Sequence, residues 1–154
     1  MDLKPGDKAP GFKLAVDGGS NISLSSLKGQ PLILYFYPRD DTTGCTKEAV
    51  DFSKNLKNFE KLRVNVVGIS KDSVASHDRF KTKYRLRHML ASDPNIEVAQ
   101  AYGVWGEKTL YGRKYMGMER ATFLIDAKGV IREIWRKVKV PGHVEAVLAA
   151  AKSL

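Results

Sequence analysis

Pro38-Arg39-Asp40-Asp41-Thr42-Thr43-Gly44-Cys45-Thr46-Lys47-Glu48 carries the only cysteine of a 154-residue chain. The run before it, Leu32-Ile33-Leu34-Tyr35-Phe36-Tyr37, is apolar without alternation, which predicts a central strand covered on both faces. After it, Ala49, Phe52, Leu56, Phe59 and Leu62 recur every three or four residues, the spacing of one helix face. Strand, short polar turn and helix thus deliver one thiol to a helix N-terminus. Cys45 falls on the apolar stripe, where that stripe emerges from the core.

Working outward, the N-terminal side reads as an extended lead-in broken by Pro5-Gly6 and Ala9-Pro10. A strand from Phe12 and its partner at Ile22 to Leu24 flank the turn Asp17-Gly18-Gly19-Ser20. Ser25 to Gly29 reads as one helical turn closed by glycine. On the C-terminal side, Val64 to Ser70 is a second core strand, followed by a helix over 74–84 with Asp72-Ser73 as its cap. A short strand at Met89 to Ala91 and a short helix at Asn95 to Tyr102 come next. Gly103 to Gly106 reads as irregular, and Leu110 to Met118 as loop plus edge strand. Ala121 to Ile125 and Val130 to Trp135 form a hairpin around Asp126-Ala127-Lys128-Gly129, and a helix over 141–152 closes the chain. The alternation predicts an α/β domain over residues 1–154, a mixed central sheet flanked by helices on both faces with a short N-terminal hairpin.

The composition, 43% hydrophobic and 28% charged, is that of a globular domain with a substantial core. No apolar run approaches the ~20 residues that span a bilayer, and the first residues lack the apolar segment of a secretory signal. A single cysteine forms no internal disulfide, which fits a reducing cytoplasm. The net charge of +9 is dispersed along the chain and carries no nucleic-acid signature, so it reads as solvated surface charge. No membrane or nucleic-acid partner is expected, and no metal or other cofactor.

A thiol gains from this setting because the thiolate is the nucleophile, and an ordinary thiol at pKa ~8.5 is mostly protonated at neutral pH. A helix N-terminus offers unpaired N–H groups and the positive dipole end, both of which favour an anion. Thr42 lies three residues before Cys45, placed to cap the helix or to hydrogen-bond a ligand. Gly44 lets the backbone approach closely and keeps the N–H groups accessible. Pro38 ends the strand and offers an apolar wall. Phe36, Tyr37, Trp105 and Met116 are candidates for further apolar walls of a pocket.

The pattern Pro38-x-x-x-Thr42-x-x-Cys45 resembles the active-site signature of peroxiredoxins. Tyr35-Phe36-Tyr37-Pro38, Gly44-Cys45-Thr46-x-Glu48, Ser92-Asp93-Pro94, Ala101-Tyr102-Gly103-Val104-Trp105 and Arg120-Ala121-Thr122-Phe123-Leu124-Ile125-Asp126 are similar to the bacterioferritin comigratory protein, or Q-type, subfamily. The likeness runs from about Leu3 to the last helix. It implies a thioredoxin-like fold, reduction of hydrogen peroxide and organic hydroperoxides, a cytoplasmic role in antioxidant defence, and a monomer. It also implies residue roles. Cys45 would be the peroxidatic nucleophile, oxidised to a sulfenic acid. Thr42 would hydrogen-bond the peroxide, and Pro38 would shield the site. Arg120 would stabilise the thiolate and the charge moving to the leaving oxygen. Glu48, one turn beyond Cys45, would orient Arg120.

Many relatives carry a resolving cysteine five residues after the first, and here that residue is Val50. Others place it on the following helix, which has none. In an intact helix such a pair is roughly 8–9 Å apart at Cα, beyond the ~7 Å limit for a disulfide, so two-cysteine relatives must unwind the helix. A one-cysteine chain needs an external thiol instead: thioredoxin, glutaredoxin with glutathione, or a small thiol. Among rivals, a disulfide reductase would need Cys-x-x-Cys, but Thr42 and Glu48 flank Cys45 at that spacing. A cysteine–histidine hydrolase would need a histidine beside Cys45, and His77, His88 and His143 read as surface residues. The alternative of another class is a non-enzymatic redox sensor or a basic partner-binding protein.

Overall fold

The computed structural model describes residues 2–154. Its elements in chain order are β1 (Lys13–Val16), β2 (Asn21–Ser23), α1 (Leu24–Leu27), β3 (Leu32–Phe36), α2 (Thr43–Lys54), α3 (Leu56–Lys61), β4 (Asn65–Ser70), α4 (Val74–Tyr84), β5 (Met89–Ser92), α5 (Glu97–Ala101), β6 (Trp105–Leu110), β7 (Arg113–Met118), β8 (Ala121–Ile125), β9 (Ile131–Trp135) and α6 (His143–Lys152). Seven strands form one mixed sheet in the order β2-β1-β5-β4-β3-β8-β9. β3 runs parallel to β4 and antiparallel to β8.

β3 has every residue buried, as its unbroken apolar run requires. Its side chains alternate between two cores. Leu32, Leu34 and Phe36 join Val67, Ile69, Phe123, Val98 and Tyr102 on one face. Ile33, Tyr35 and Tyr37 join Cys45, Phe52, Phe59, Phe80 and Val147 on the other. Helices α2, α3, α4 and α6 cover that second face; α5 and the N-terminal lead-in cover the first. The mixed central sheet covered on both faces is as expected. One local fit is strict. Tyr35 pairs with Gly68 across β3 and β4, and a Cβ at Gly68 would meet the tyrosine ring at 2.7 Å.

Two expectations change. The helix expected as one stripe over 45–62 is two helices, broken at Asn55. The Asn55 side chain donates to the Asp51 carbonyl at 2.9 Å, competing with the helical ladder as asparagine side chains do. Phe52 and Phe59 still share the buried face. The second change lies between α5 and β8. Trp105 and Gly106 are strand, not irregular, and Lys108 to Leu110 pair with Arg113 to Tyr115 as the hairpin β6–β7. This hairpin is a separate two-stranded sheet, not an edge of the main one. Tyr111-Gly112 form its turn with φ of 52° and 77°, a two-residue connection of the kind that suits the strand twist.

Candidate active site

The site is built where β3 ends. Tyr37 donates its N–H to Ile69 O at 3.1 Å, and Pro38 then turns the chain away from the sheet. Residues 38–42 are pinned to α4 at two points. Asp40 is buried and accepts from Tyr37 Oη at 2.6 Å and Ser76 Oγ at 2.8 Å, with His77 Nδ1 at 2.8 Å. His77 Nε2 lies 2.9 Å from Ala91 O, so that nitrogen donates and fixes the ring. Asp41 accepts from Lys83 Nζ and Tyr84 Oη. A turn held by both acids presents the next residues in one geometry.

Those residues start α2. Thr42 occupies the cap position, yet its side chain makes no cap hydrogen bond. Its hydroxyl donates instead to Arg39 O at 3.0 Å. The first helical bond runs from Thr46 N to Thr42 O at 2.8 Å. Among the described residues, the N–H groups of the first turn, at Thr43, Gly44 and Cys45, therefore have neither a helical nor a side-chain acceptor. Cys45 sits at the inner edge of this turn, 1% exposed.

Arg120 reaches the thiol from 75 residues away. The sheet explains the meeting. β8 is antiparallel to β3 with Ala121 opposite Phe36, so the residue before Ala121 emerges beside the end of β3. Val138 N donates to Arg120 O at 3.0 Å and fixes its backbone. Arg120 Nη2 lies 3.3 Å from Cys45 Sγ, and Nη1 lies 2.7 Å from Glu48 Oε1. One planar guanidinium thus bridges thiol and carboxylate. Glu48 is fully buried, and its second oxygen has no partner among the described residues. Burial pushes the Glu48 carboxyl up to about 7, with Arg120 pulling the other way.

Gly44 does more than expose N–H groups. A Cβ there would stand 3.1 Å from Arg120 Nη2, so the missing side chain makes room for the guanidinium. Against the turn that precedes Cys45 lies a pocket of about 770 Å³, with Pro38, Arg39, Thr42, Asp72, Trp105, Lys108 and Met116 in its lining. Trp105 and Met116 are therefore walls, as expected, and both come from the hairpin. Phe36 and Tyr37 are not. Phe36 points to the opposite face of the sheet, and Tyr37 is in the helical-side core with its hydroxyl on Asp40. Val50 packs, half-buried, against that core.

Of the five residues expected around the thiol, Arg120 contacts Cys45 Sγ, Glu48 pairs with Arg120 and Gly44 makes room for it, while Pro38 and Thr42 line the adjoining pocket. The histidines overturn their reading, since all three are buried. His88 is held between Tyr35 Oη at 2.6 Å and Ser53 Oγ at 2.9 Å, and His143 Nε2 lies 2.8 Å from Thr122 Oγ1. Burial pushes the His88 imidazole down to about 3 and that of His143 to about 4. The anchoring roles of Asp40, Asp41 and His77 were not foreseen. A signal existed for His77, which shares a helical stripe with Phe80 and Tyr84 at three- and four-residue spacing.

Residues 5–134 match the AhpC/TSA family. A putative peroxiredoxin bcp from Coxiella burnetii is 52% identical over 148 residues, which cover 96% of this chain and 98% of that protein. Peroxiredoxin Bcp of Bacillus subtilis is 43% identical over 154 residues, covering 100% and 98% respectively. The solved structure of the Xanthomonas campestris bacterioferritin comigratory protein, described for its alkyl peroxide reduction activity, superposes with a TM-score of 0.89 at 42% identity, covering 92% of this chain and 90% of that one.

Proposed function

This chain belongs to the AhpC/TSA family and is a thiol-dependent peroxidase, and from that premise we propose that Cys45 is its peroxidatic nucleophile, served by Arg120, Thr42 and Pro38. The observation that carries this reading is the contact of Arg120 Nη2 with Cys45 Sγ at 3.3 Å, beside unpaired N–H groups. A guanidinium donor and a helix N-terminus both favour a sulfur anion over a neutral thiol.

The hydroperoxide enters through the pocket, with its terminal oxygen toward Sγ. The Thr42 hydroxyl proton is committed to Arg39 O, so its lone pairs are left to accept the peroxide O–H. The first-turn N–H groups and Arg120 donate to the peroxide oxygens. As sulfur attacks, the O–O bond breaks and negative charge builds on the leaving oxygen. Preorganised donors aimed at such developing charge typically contribute ~3–4 kcal/mol each. The products are water or an alcohol and a Cys45 sulfenic acid. Glu48 holds the guanidinium plane, Gly44 admits it, and Pro38 and Trp105 keep bulk water from the thiolate. Trp105 and Met116 suit an organic hydroperoxide as well as hydrogen peroxide.

Resolution comes from an external thiol, because position 50 holds valine and the chain has no second cysteine. One thiol equivalent forms a mixed disulfide and a second releases Cys45. The dependence on reduced thiols fits a reducing compartment such as the cytoplasm.

The test is peroxide consumption with a supplied thiol. The wild-type protein should consume peroxide catalytically and Cys45→Ser should not. Equal consumption by the serine variant would sink the assignment.

A further inference from the structure

Thr42 is only as well placed as the turn that carries it, and that turn does not hold itself. Among the described residues, the one side-chain hydrogen bond within 38–42 runs from Thr42 Oγ1 to Arg39 O, and Asp41 sits at φ 61°, in the left-handed region. Arg39 O belongs to the peptide unit whose N–H is that of Asp40. This N–H donates to Asp72 Oδ2 at 2.8 Å, and Asp72 is itself held by Ser70 Oγ at 2.7 Å. The plane of that one peptide decides where the Thr42 hydroxyl proton points, and so where its lone pairs face.

The Asp40 side chain hangs from the same unit and is anchored on α4. Oδ1 accepts from Tyr37 Oη at 2.6 Å; Oδ2 accepts from Ser76 Oγ at 2.8 Å and lies 2.8 Å from His77 Nδ1. His77 Nε2 must carry a hydrogen, because Ala91 O at 2.9 Å can only accept. Nδ1 then faces a carboxyl oxygen, with both side chains shielded from solvent. Two bare lone pairs at that distance in a buried site repel, so a proton lies between them, whichever atom owns it. The Tyr37 hydroxyl does not supply it. Its proton goes to Asp40 Oδ1, and Nδ1 is 3.5 Å away.

We infer that Asp40 and His77 are positioning residues of the peroxide reaction, and that the proton they share locks the peptide unit that aims the Thr42 hydroxyl. The inference rests on the proposed role of Thr42 toward the peroxide. Neither residue touches the reacting atoms; α4 acts on the chemistry through the turn. Without the shared proton the peptide is held by Asp72 alone, and the Thr42 hydroxyl loses its fixed acceptor.

The test measures single-turnover oxidation of Cys45 by hydrogen peroxide and, beside it, alkylation of Cys45 by iodoacetamide, which makes no use of Thr42. Asp40→Ala and His77→Phe should slow the peroxide step ~10- to 100-fold, the scale of a misplaced reacting group, with alkylation no slower than in the wild type. Asp40→Asn should recover the peroxide rate to within about threefold, because its amide N–H can stand in for the shared proton. Asp40→Ala added to Thr42→Val should cost less than about twofold beyond Thr42→Val alone, the non-additivity of two changes on one path. In the wild-type protein with nitrogen-labelled histidine, the His77 Nδ1 chemical shift should show a hydrogen-bonded proton, a readout that needs no variant to fold. A wild-type peroxide rate in Asp40→Ala, equal slowing of both reactions, Asp40→Asn as slow as Asp40→Ala, effects that multiply in the double variant, or the Nδ1 shift of a free lone pair would overturn the inference and leave the role of Thr42 standing. Thr42→Val as fast as the wild type would overturn both.

Discussion

Two helices of this protein start with the same kind of residue and finish that start differently. α4 begins after Ser73, whose hydroxyl oxygen accepts from Ser76 N at 3.1 Å. α2 begins after Thr42, whose hydroxyl turns back to Arg39 O and caps nothing. A cap of this type contributes about 1 kcal/mol to stability. α2 forgoes it and keeps its first N–H groups free beside Cys45 and Arg120. The closed end serves the fold, and the open end keeps the donors that the proposed function assigns to the peroxide.

The largest effect that tests this contrast is at Arg120. Arg120→Met should lower kcat/KM for hydroperoxide by ~10²–10³, the loss expected for a donor aimed at developing charge. Steady-state peroxide assays measure it, and a loss under threefold would mean that the open end works without its guanidinium.

Next comes acid stability, which should separate the fold from the site. His88 and His143 are held neutral in the fold but protonate near 6.5 when unfolded. Their contribution is complete above pH 6.5 and is lost as pH falls towards 4 and 3. His88 alone should cost on the order of 3 kcal/mol by pH 4. Glu48 has the opposite sign. Its carboxyl is raised to about 7, so ionising it costs stability as pH rises from about 4.5 through 7. Thermal unfolding across this range reads the balance. Glu48→Gln should flatten the neutral limb and leave the acid limb unchanged; an unchanged neutral limb contradicts the assignment.

The paired test is sharper, though smaller. Thr42→Val should slow reaction with peroxide ~10- to 100-fold, while Thr42→Ser retains most of the rate. Ser73→Ala should leave the rate alone and lower Tm by ~3 °C, the effect of about 1 kcal/mol in a domain of this size. If Ser73→Ala slows catalysis as much as Thr42→Val does, the two helix starts do not differ in the way described.

The smallest effect is at Gly44. Gly44→Ala adds a Cβ 3.1 Å from Arg120 Nη2 and must displace the end of that side chain by a few tenths of an ångström. We expect a ~3- to 10-fold slower reaction at unchanged or slightly raised stability, since alanine is the better helix former.

Much of this was legible in the sequence for a physical reason. A doubly covered strand writes itself as an unbroken apolar run, and a helix face as a three- and four-residue spacing, so β3 and the helical stripe through Phe52 and Phe59 could be read directly. Arg120 could not. Its contact with Cys45 is set by the antiparallel register of β8 on β3, which no local pattern encodes, and only resemblance to relatives singled it out. The break at Asn55 was hidden because one asparagine side chain competing for a carbonyl leaves the stripe intact. His88 misled because a buried imidazole between a tyrosine and a serine has no local signature when the three come from β3, α2 and the residue before β5. The hairpin β6–β7, rich in glycine and charge, lacks the apolar alternation of a strand packed on a core. It still supplies Trp105, Lys108 and Met116 to the pocket.

The most direct measurement is a single turnover without thiol: one equivalent of hydroperoxide, trapping of sulfenic acid with a dimedone probe, and intact and peptide mass spectrometry. The account predicts one trapped adduct per chain, confined to Cys45, that persists until a thiol is added. Peroxide consumed with Cys45 unmodified, or with oxidation found on methionines instead, would contradict it.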